Sequence, residues 1–127
     1  MNLRYFKNLS ALTNSLYESF IKSNFNISID GSRTTELNIA DYFSAKLCYR
    51  ALETNIKKSD IKPQRLPGLK FTPEEFFWIS SAQKYCFINK DETTVMKLIT
   101  TSYPIELYRV YEPLSNNFDF KKDFQCF

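Results

Sequence analysis

Histidine does not occur in this 127-residue chain. Its absence removes every imidazole metal ligand, the H-E-x-x-H zinc helix, and the Ser–His and Cys–His nucleophile pairs. Carboxylate-pair chemistry survives, because it needs only Asp and Glu. Cysteine is scarce and scattered, at positions 48, 86 and 126 with no C-x-x-C pair, so the spacing of a structural zinc site is missing. An odd count leaves at least one thiol without an internal disulfide partner. No stretch reaches the roughly 18 apolar residues that span a bilayer, so no membrane span is expected in this chain. The opening MNLRYFKNLSALTNSLYESF lacks the continuous apolar core of a signal peptide. Charge of one sign is not in excess either: 17 basic against 14 acidic side chains leave +3. The one basic cluster is Lys57, Lys58, Lys62 and Arg65, interrupted by Asp60. Polynucleotide binding needs a concentrated basic stripe, so no nucleic-acid partner is expected and the cluster reads as a solvated helix end entering a loop.

What the chain does have is aromatic area. Phe (12) and Tyr (8) dominate a 17% aromatic content, and rings of that size bury much surface per residue. A folded domain, or a folded part of a larger unit, is therefore expected. Residues 1–30 form a segment with helical character, and 31–127 form the main body. Asn8-Leu9-Ser10 and Asn26-Ile27-Ser28 fit the glycosylation sequon, which matters only in the secretory path.

Periodicity predicts a mainly α chain. Leu9, Leu12, Leu16 and Phe20 fall at helical spacing, and Asp30-Gly31-Ser32 reads as a turn. From about 35 to 58 an uninterrupted helix is predicted. Ile39, Ala40, Phe43, Leu47, Ala51 and Leu52 form its apolar side, with Cys48 toward the core. It should end before Pro63. Pro67-Gly68 is a turn. Thr72 then signs a helix start, with Pro73 at the first position and Glu75 completing a capping box. Phe71 and Phe76 stand at the hydrophobic-staple positions. Phe76, Phe77, Trp78 and Ile79 in succession predict a helix buried on most sides. A cap at Asp91 predicts another helix, and Asn117 a last short one. Between Pro104 and Pro113, the run YPIELYRVYEP favours at most a short strand near 105–112.

Three ordered segments carry a family resemblance. The first is Asn38-Ile39-Ala40-Asp41 with Leu47, Tyr49, Arg50 and Ala51. The second is Leu66-Pro67-Gly68-Leu69 with Phe76, Phe77, Ala82, Gln83 and Cys86. The third is Arg109-Val110, then Leu114-Ser115-Asn116, Phe120, Phe124 and Cys126. In order and spacing they resemble the C-terminal region of neprilysin and the endothelin-converting enzymes, from about Gly31 to Cys126. The resemblance implies the C-terminal helical part of a thermolysin-related metallopeptidase domain. It also implies peptide cleavage by a zinc-bound water, and a plasma-membrane or extracellular location.

The family's roles carry over residue by residue, and several are vacant. The H-E-x-x-H helix precedes the matched region in the family order. Leu37 stands at the Glu that is the third zinc ligand, and an aliphatic group has no lone pair to donate. Glu36 beside it is rotated by about 100° on a helix, which would turn it from the metal. Asp41 matches the Asp that braces a zinc-binding His. Tyr103 stands at the oxyanion-binding His, where a phenol can still donate a hydrogen bond. Arg109 matches the substrate-gripping Arg. Phe43-Ser44 falls near a family Gly pair, and Phe127 stands short of the family's final Cys and Trp. By resemblance, Cys86 and Cys126 match cysteines that pair with partners near the start of the ectodomain.

Each functional assignment has a structural competitor. Arg109 either holds a peptide backbone or forms an ion pair with Glu106 or Glu112. Asp41 either persists from a zinc shell or bonds a nearby backbone or a cation such as Arg50. Cys86 and Cys126 either bond to each other or another chain, or are buried thiols. Glu74 and Glu75 are explained by the helix start. The leading expectation is a peptidase homologue that has lost its zinc site, holds no cofactor and serves a structural or binding role. The alternatives are a truncated half of an active metalloendopeptidase, partnered by its missing N-terminal portion, and a peptide-binding module using Arg109.

Overall fold

The computed structural model of the chain describes residues 3–59, 65–86 and 89–126. Asp60, Lys62, Pro63 and Phe127, which entered the reading above, lie outside them. Among the described residues there are six α-helices and no strand. They are α1 (Leu3–Phe25), α2 (Thr35–Lys58), α3 (Pro73–Gln83), α4 (Asp91–Thr100), α5 (Glu106–Ser115) and α6 (Phe118–Asp123), with a 3-10 turn at Gly31–Thr34 leading into α2. Among these residues no helix is long and apolar enough to cross a membrane.

Local chemistry sets most of the boundaries. α1 ends where Asn26 takes a left-handed φ of 54°, a conformation that Asn tolerates and that commonly closes helices. Asp30 then caps the 3-10 turn, accepting from the Ser32 N–H. Gly31 is required there by space: a Cβ would sit 2.6 Å from the Asn14 carbonyl oxygen, and the Gly31 N–H instead reaches Glu18 Oε1 at 2.8 Å. This turn doubles the chain back so that α2 packs on α1. Gly68 adopts φ 80° after Pro67, and Leu69 N–H closes the turn on Leu66 at 3.0 Å, the arrangement that Pro-Gly favours. The capping box at α3 forms in both directions: Thr72 accepts from Glu75 N–H at 3.1 Å, and Glu75 accepts from Thr72 N–H. Asn117 caps α6 through Asp119 N–H. At α4 the cap falls on Lys90, with Asp91 as the first helical residue.

Two apolar clusters hold the helices. One joins α1 to α4 and α5 through Tyr17, Ile21, Leu98, Ile105 and Tyr108, with Phe20, Phe25, Ile27 and Ile29 packed against it. Tyr17 Oη accepts from the Ile105 N–H. The other joins α2, α3 and α6 through stacked Tyr49 and Trp78, with Phe77 and Phe120 edge-on.

Three expectations are corrected. The stretch around 105–112 is helix, not strand: Ile105, Tyr108 and Glu112 are buried at spacings of three and four, and Pro113, near the C-terminal end, interrupts only the last turn of the helix. On α1 the buried stripe is Thr13, Tyr17 and Ile21, while Leu12 and Leu16 are exposed. On α2 the buried side chains are Asn38 and Tyr49, while Leu47, Phe43 and Cys48 are exposed.

Candidate functional site

Two of the residues singled out from the sequence, Asp41 and Arg109, meet where α2 lies against α5. Asp41, on α2, is half-buried and faces Arg109 on α5. Arg109 donates from Nε to Asp41 Oδ2 at 2.6 Å and from Nη2 to Oδ1 at 2.8 Å. This is the fork-to-fork geometry in which a guanidinium matches a carboxylate. The Tyr85 ring, just beyond α3, covers the guanidinium at 4.8 Å. Phe77, Val110, Pro113 and Leu114 contribute to a cleft of about 150 Å³ beside the pair. The bonds to Asp41 push the Arg109 pKa above its ordinary value, against the opposing effect of burial.

This pairing replaces the partners expected for the two residues, Glu106 or Glu112 for Arg109 and Arg50 for Asp41. Glu106 is taken by Lys97 at 2.7 Å. Arg50 bonds Glu53 at 2.9 Å and Asp119 at 3.3 Å. Sequence reasoning could not find the Asp41–Arg109 bond, because it spans 68 positions and depends on how two helices pack. Tyr103 does not join it. Tyr103 is 65% exposed and lines a separate cleft with Tyr17, Arg33 and Leu98. Leu37 is half-buried on α2 one turn before Asp41, and Glu36 is exposed. Cys48, Cys86 and Cys126 are free and exposed, so the buried-thiol reading and a bond between Cys86 and Cys126 both fail here.

Asp41→Asn is expected to destabilise the fold, because it leaves the guanidinium without a counter-charge in a low-dielectric seam. A fully buried pair would lose about 3–5 kcal/mol. Arg109 is 23% exposed, so solvent relieves part of that, and a loss of about 1–3 kcal/mol is expected in chemical denaturation.

Sequence reasoning named Glu112 only as a partner for Arg109 and missed its burial. It is only 7% exposed, and among the described residues its Oε2 has no hydrogen-bond partner. Burial, reinforced by the nearby Asp41 charge, raises its pKa to about 7. Its neighbour Tyr108 also has a buried, unpartnered hydroxyl, pushed up by burial and by Glu112.

A zinc ion does not fit these residues. Among the described residues no three His, Cys, Asp or Glu side chains converge to hold a metal. Asp41, the one carboxylate of the matched motif, is engaged on both oxygens by Arg109. Leu37, at the position where the resemblance would place a carboxylate ligand, offers only hydrocarbon.

The sequence matches the profile described as Peptidase family M13 over residues 2–127. It is 34% identical over 110 residues to Neprilysin-2 of Caenorhabditis elegans, covering 87% of this chain and 15% of that protein. It is 33% identical over 110 residues to Neprilysin-2 of Drosophila melanogaster, covering 87% of this chain and 14% of that protein. It is 33% identical over 107 residues to Endothelin-converting enzyme 1 of Mus musculus, covering 82% and 14%. The chain thus spans about 15% or less of the length of these relatives.

Proposed function

This chain belongs to peptidase family M13, and on that basis we propose that it is a catalytically silent part of the peptidase fold, with a structural or binding role. The observation that carries this reading is the state of the matched motif. Leu37 stands at the position of the motif's Glu ligand, and the motif's Asp41 forms a two-bond ion pair with Arg109 between α2 and α5. A metallopeptidase needs three protein ligands and an open coordination position for its water. Leu37 and the lack of any imidazole deny the first requirement, so no hydrolytic step is assigned to this chain. Arg109 spends its charge on Asp41, which favours a scaffold role over a grip on peptide carbonyls. The direct check is an assay of the purified chain, with zinc added, on a set of fluorogenic peptides. No cleavage above the buffer rate is expected, and chelator-sensitive turnover would overturn the proposal.

The binding side of the role has its own support. Leu12, Leu16, Phe43 and Leu47 are exposed on α1 and α2, and contiguous apolar surface of that kind marks sites covered by another polypeptide. An N-terminal portion of an M13 peptidase is the partner this reading favours. Mixing the chain with such a portion should give a complex in analytical ultracentrifugation, and two independently sedimenting species would remove this part of the proposal.

A further inference from the structure

Neither glycosylation sequon enters the function proposed above, and the two lie in different local structure. Asn8 is inside α1, which runs from Leu3 to Phe25. On a helix, positions two apart are turned by about 200°, so Asn8 and Ser10 leave α1 on nearly opposite sides. Their burial agrees: Asn8 is exposed and Ser10 is half-buried. At 23 residues, α1 exceeds the length of about 15 below which an isolated helix is marginal. Helices form within about a microsecond, so Asn8 enters α1 far faster than the chain is synthesised.

Asn26-Ile27-Ser28 is built otherwise. Residues 26–30 are neither helix nor strand. Asn26 opens them with its left-handed φ of 54°, which asparagine tolerates, and its N–H closes α1 on the Lys22 carbonyl at 3.1 Å. From there burial alternates: Asn26, Ser28 and Asp30 are exposed, and Ile27 and Ile29 are half-buried. Both isoleucines pack against the cluster that contains Tyr17 and Tyr108. Alternation of period two marks extended chain, in which side chains two apart share a side. The isoleucines thus pin the segment to the core, while the Asn26 amide and the Ser28 hydroxyl face solvent together. The sequon is read as that pair, an amide at i and a hydroxyl at i+2.

We infer that in the secretory path Asn26 is an N-glycosylation acceptor and Asn8 is not. The inference presupposes export and is independent of whether the chain is catalytically silent. The co-reactant is an oligosaccharide joined through its anomeric carbon to a lipid pyrophosphate. Asn26 Nδ2 bonds to that carbon and loses one proton. The bond from the carbon to the pyrophosphate oxygen breaks, and the lipid pyrophosphate leaves with the electron pair. A glycan is bulky and solubilising, and an outward side chain past a helix end carries it without displacing the core. Asn26 stands about 15 Å along α1 from Leu16 at the helical rise per residue, so occupancy is compatible with a partner on the face of Leu12 and Leu16.

The test expresses the full chain behind a cleavable leader in a eukaryotic host. Protein that has lost the leader, whether secreted or retained, is collected, so every molecule measured has met the transferase. Intact mass is read before and after peptide N-glycosidase, which converts each occupied Asn to Asp and so marks the site for peptide mass spectrometry. One glycosidase-sensitive glycan, at Asn26, is expected. Asn26→Asp keeps the left-handed tolerance and should abolish the mass loss. Ser28→Ala should abolish it as well, whereas Ser28→Thr and Asn8→Gln should retain it. Absence of a glycan on the processed parent would overturn the inference. So would occupancy of Asn8 equal to or above that of Asn26, a glycan that persists in Asn26→Asp or Ser28→Ala, or its loss in Ser28→Thr or Asn8→Gln.

Discussion

Replacing Trp78 with alanine is expected to cost about 3–5 kcal/mol in chemical denaturation. The indole is 1% exposed and stacks on Tyr49 with ring centroids 4.7 Å apart. Phe77 and Phe120 meet it edge-on at 5.0 and 5.9 Å. Its Nε1–H donates to Asp123 Oδ2 at 2.9 Å, and the Tyr49 hydroxyl donates to the same oxygen at 2.6 Å. Alanine would open a cavity among three rings and strip one of two donors from a carboxylate. The effect reaches the candidate site, because this cluster fixes α3, and with it Tyr85, against α2, which carries Asp41. Trp78→Phe separates the two contributions. It keeps a ring in the cavity and loses the bond to Asp123 with part of the indole's volume, so a loss of about 1–3 kcal/mol should remain. A loss under about 1 kcal/mol for the alanine variant would mean that the cluster does not hold these helices together.

The second large effect concerns Glu112 and reverses the usual direction for carboxylates. Its folded pKa is raised from 4.5 to about 7. A group raised in this way favours the folded state fully below its unfolded value, and that contribution is lost as pH climbs through the folded value. Stability should therefore fall between about pH 4.5 and pH 7 on account of this residue alone. The full shift corresponds to about 3 kcal/mol. Glutamine has nearly the same shape and no charge to desolvate. Glu112→Gln should match the parent near pH 5 and exceed it by up to about 3 kcal/mol at pH 8. Thermal melts of both proteins at the two pH values measure this. A variant that is no more stable at pH 8 than at pH 5, relative to the parent, would show that the carboxyl is solvated after all.

Which parts of this fold could be read from residues alone follows the range of the interactions. α2 runs from Thr35 to Lys58 as its unbroken pattern predicts. Its neighbour α3 starts where Thr72, Pro73 and Glu75 place it. Those signals involve residues within a few positions of one another. Likewise the Pro67-Gly68 turn and the Asn117 cap depend on one dipeptide and one side chain. α5 was hidden because a buried Glu occupies its core stripe, so Ile105, Tyr108 and Glu112 do not read as an apolar period. α1 was read as a helix with the wrong face inward. Leu9, Leu12 and Leu16 are the better apolar stripe, but Tyr17 and Ile21 are the side chains that α4 and α5 cover. That difference amounts to about one residue of rotation, or 100°, and only tertiary packing decides it. Cys48 was misplaced for the same reason.

The site shows the same division. Arg109, Asp41, Tyr103 and Leu37 could be named from motif positions, yet only Arg109 and Asp41 come together, through a bond between helices far apart in sequence. Tyr103 falls in another cleft. Nothing local marks Glu112 as buried, since a Glu next to Pro113 ordinarily faces water. Its burial is a property of three helices meeting. Chemistry that depends on residue type alone, such as the lack of imidazole, is legible at once.

The most direct measurement is the metal content and peptide turnover of the full chain after equilibration with zinc and removal of the unbound ion. The account predicts far less than one zinc per chain and no cleavage that a chelator suppresses. One tightly held zinc per chain, with chelator-sensitive cleavage that follows the metal, would contradict it.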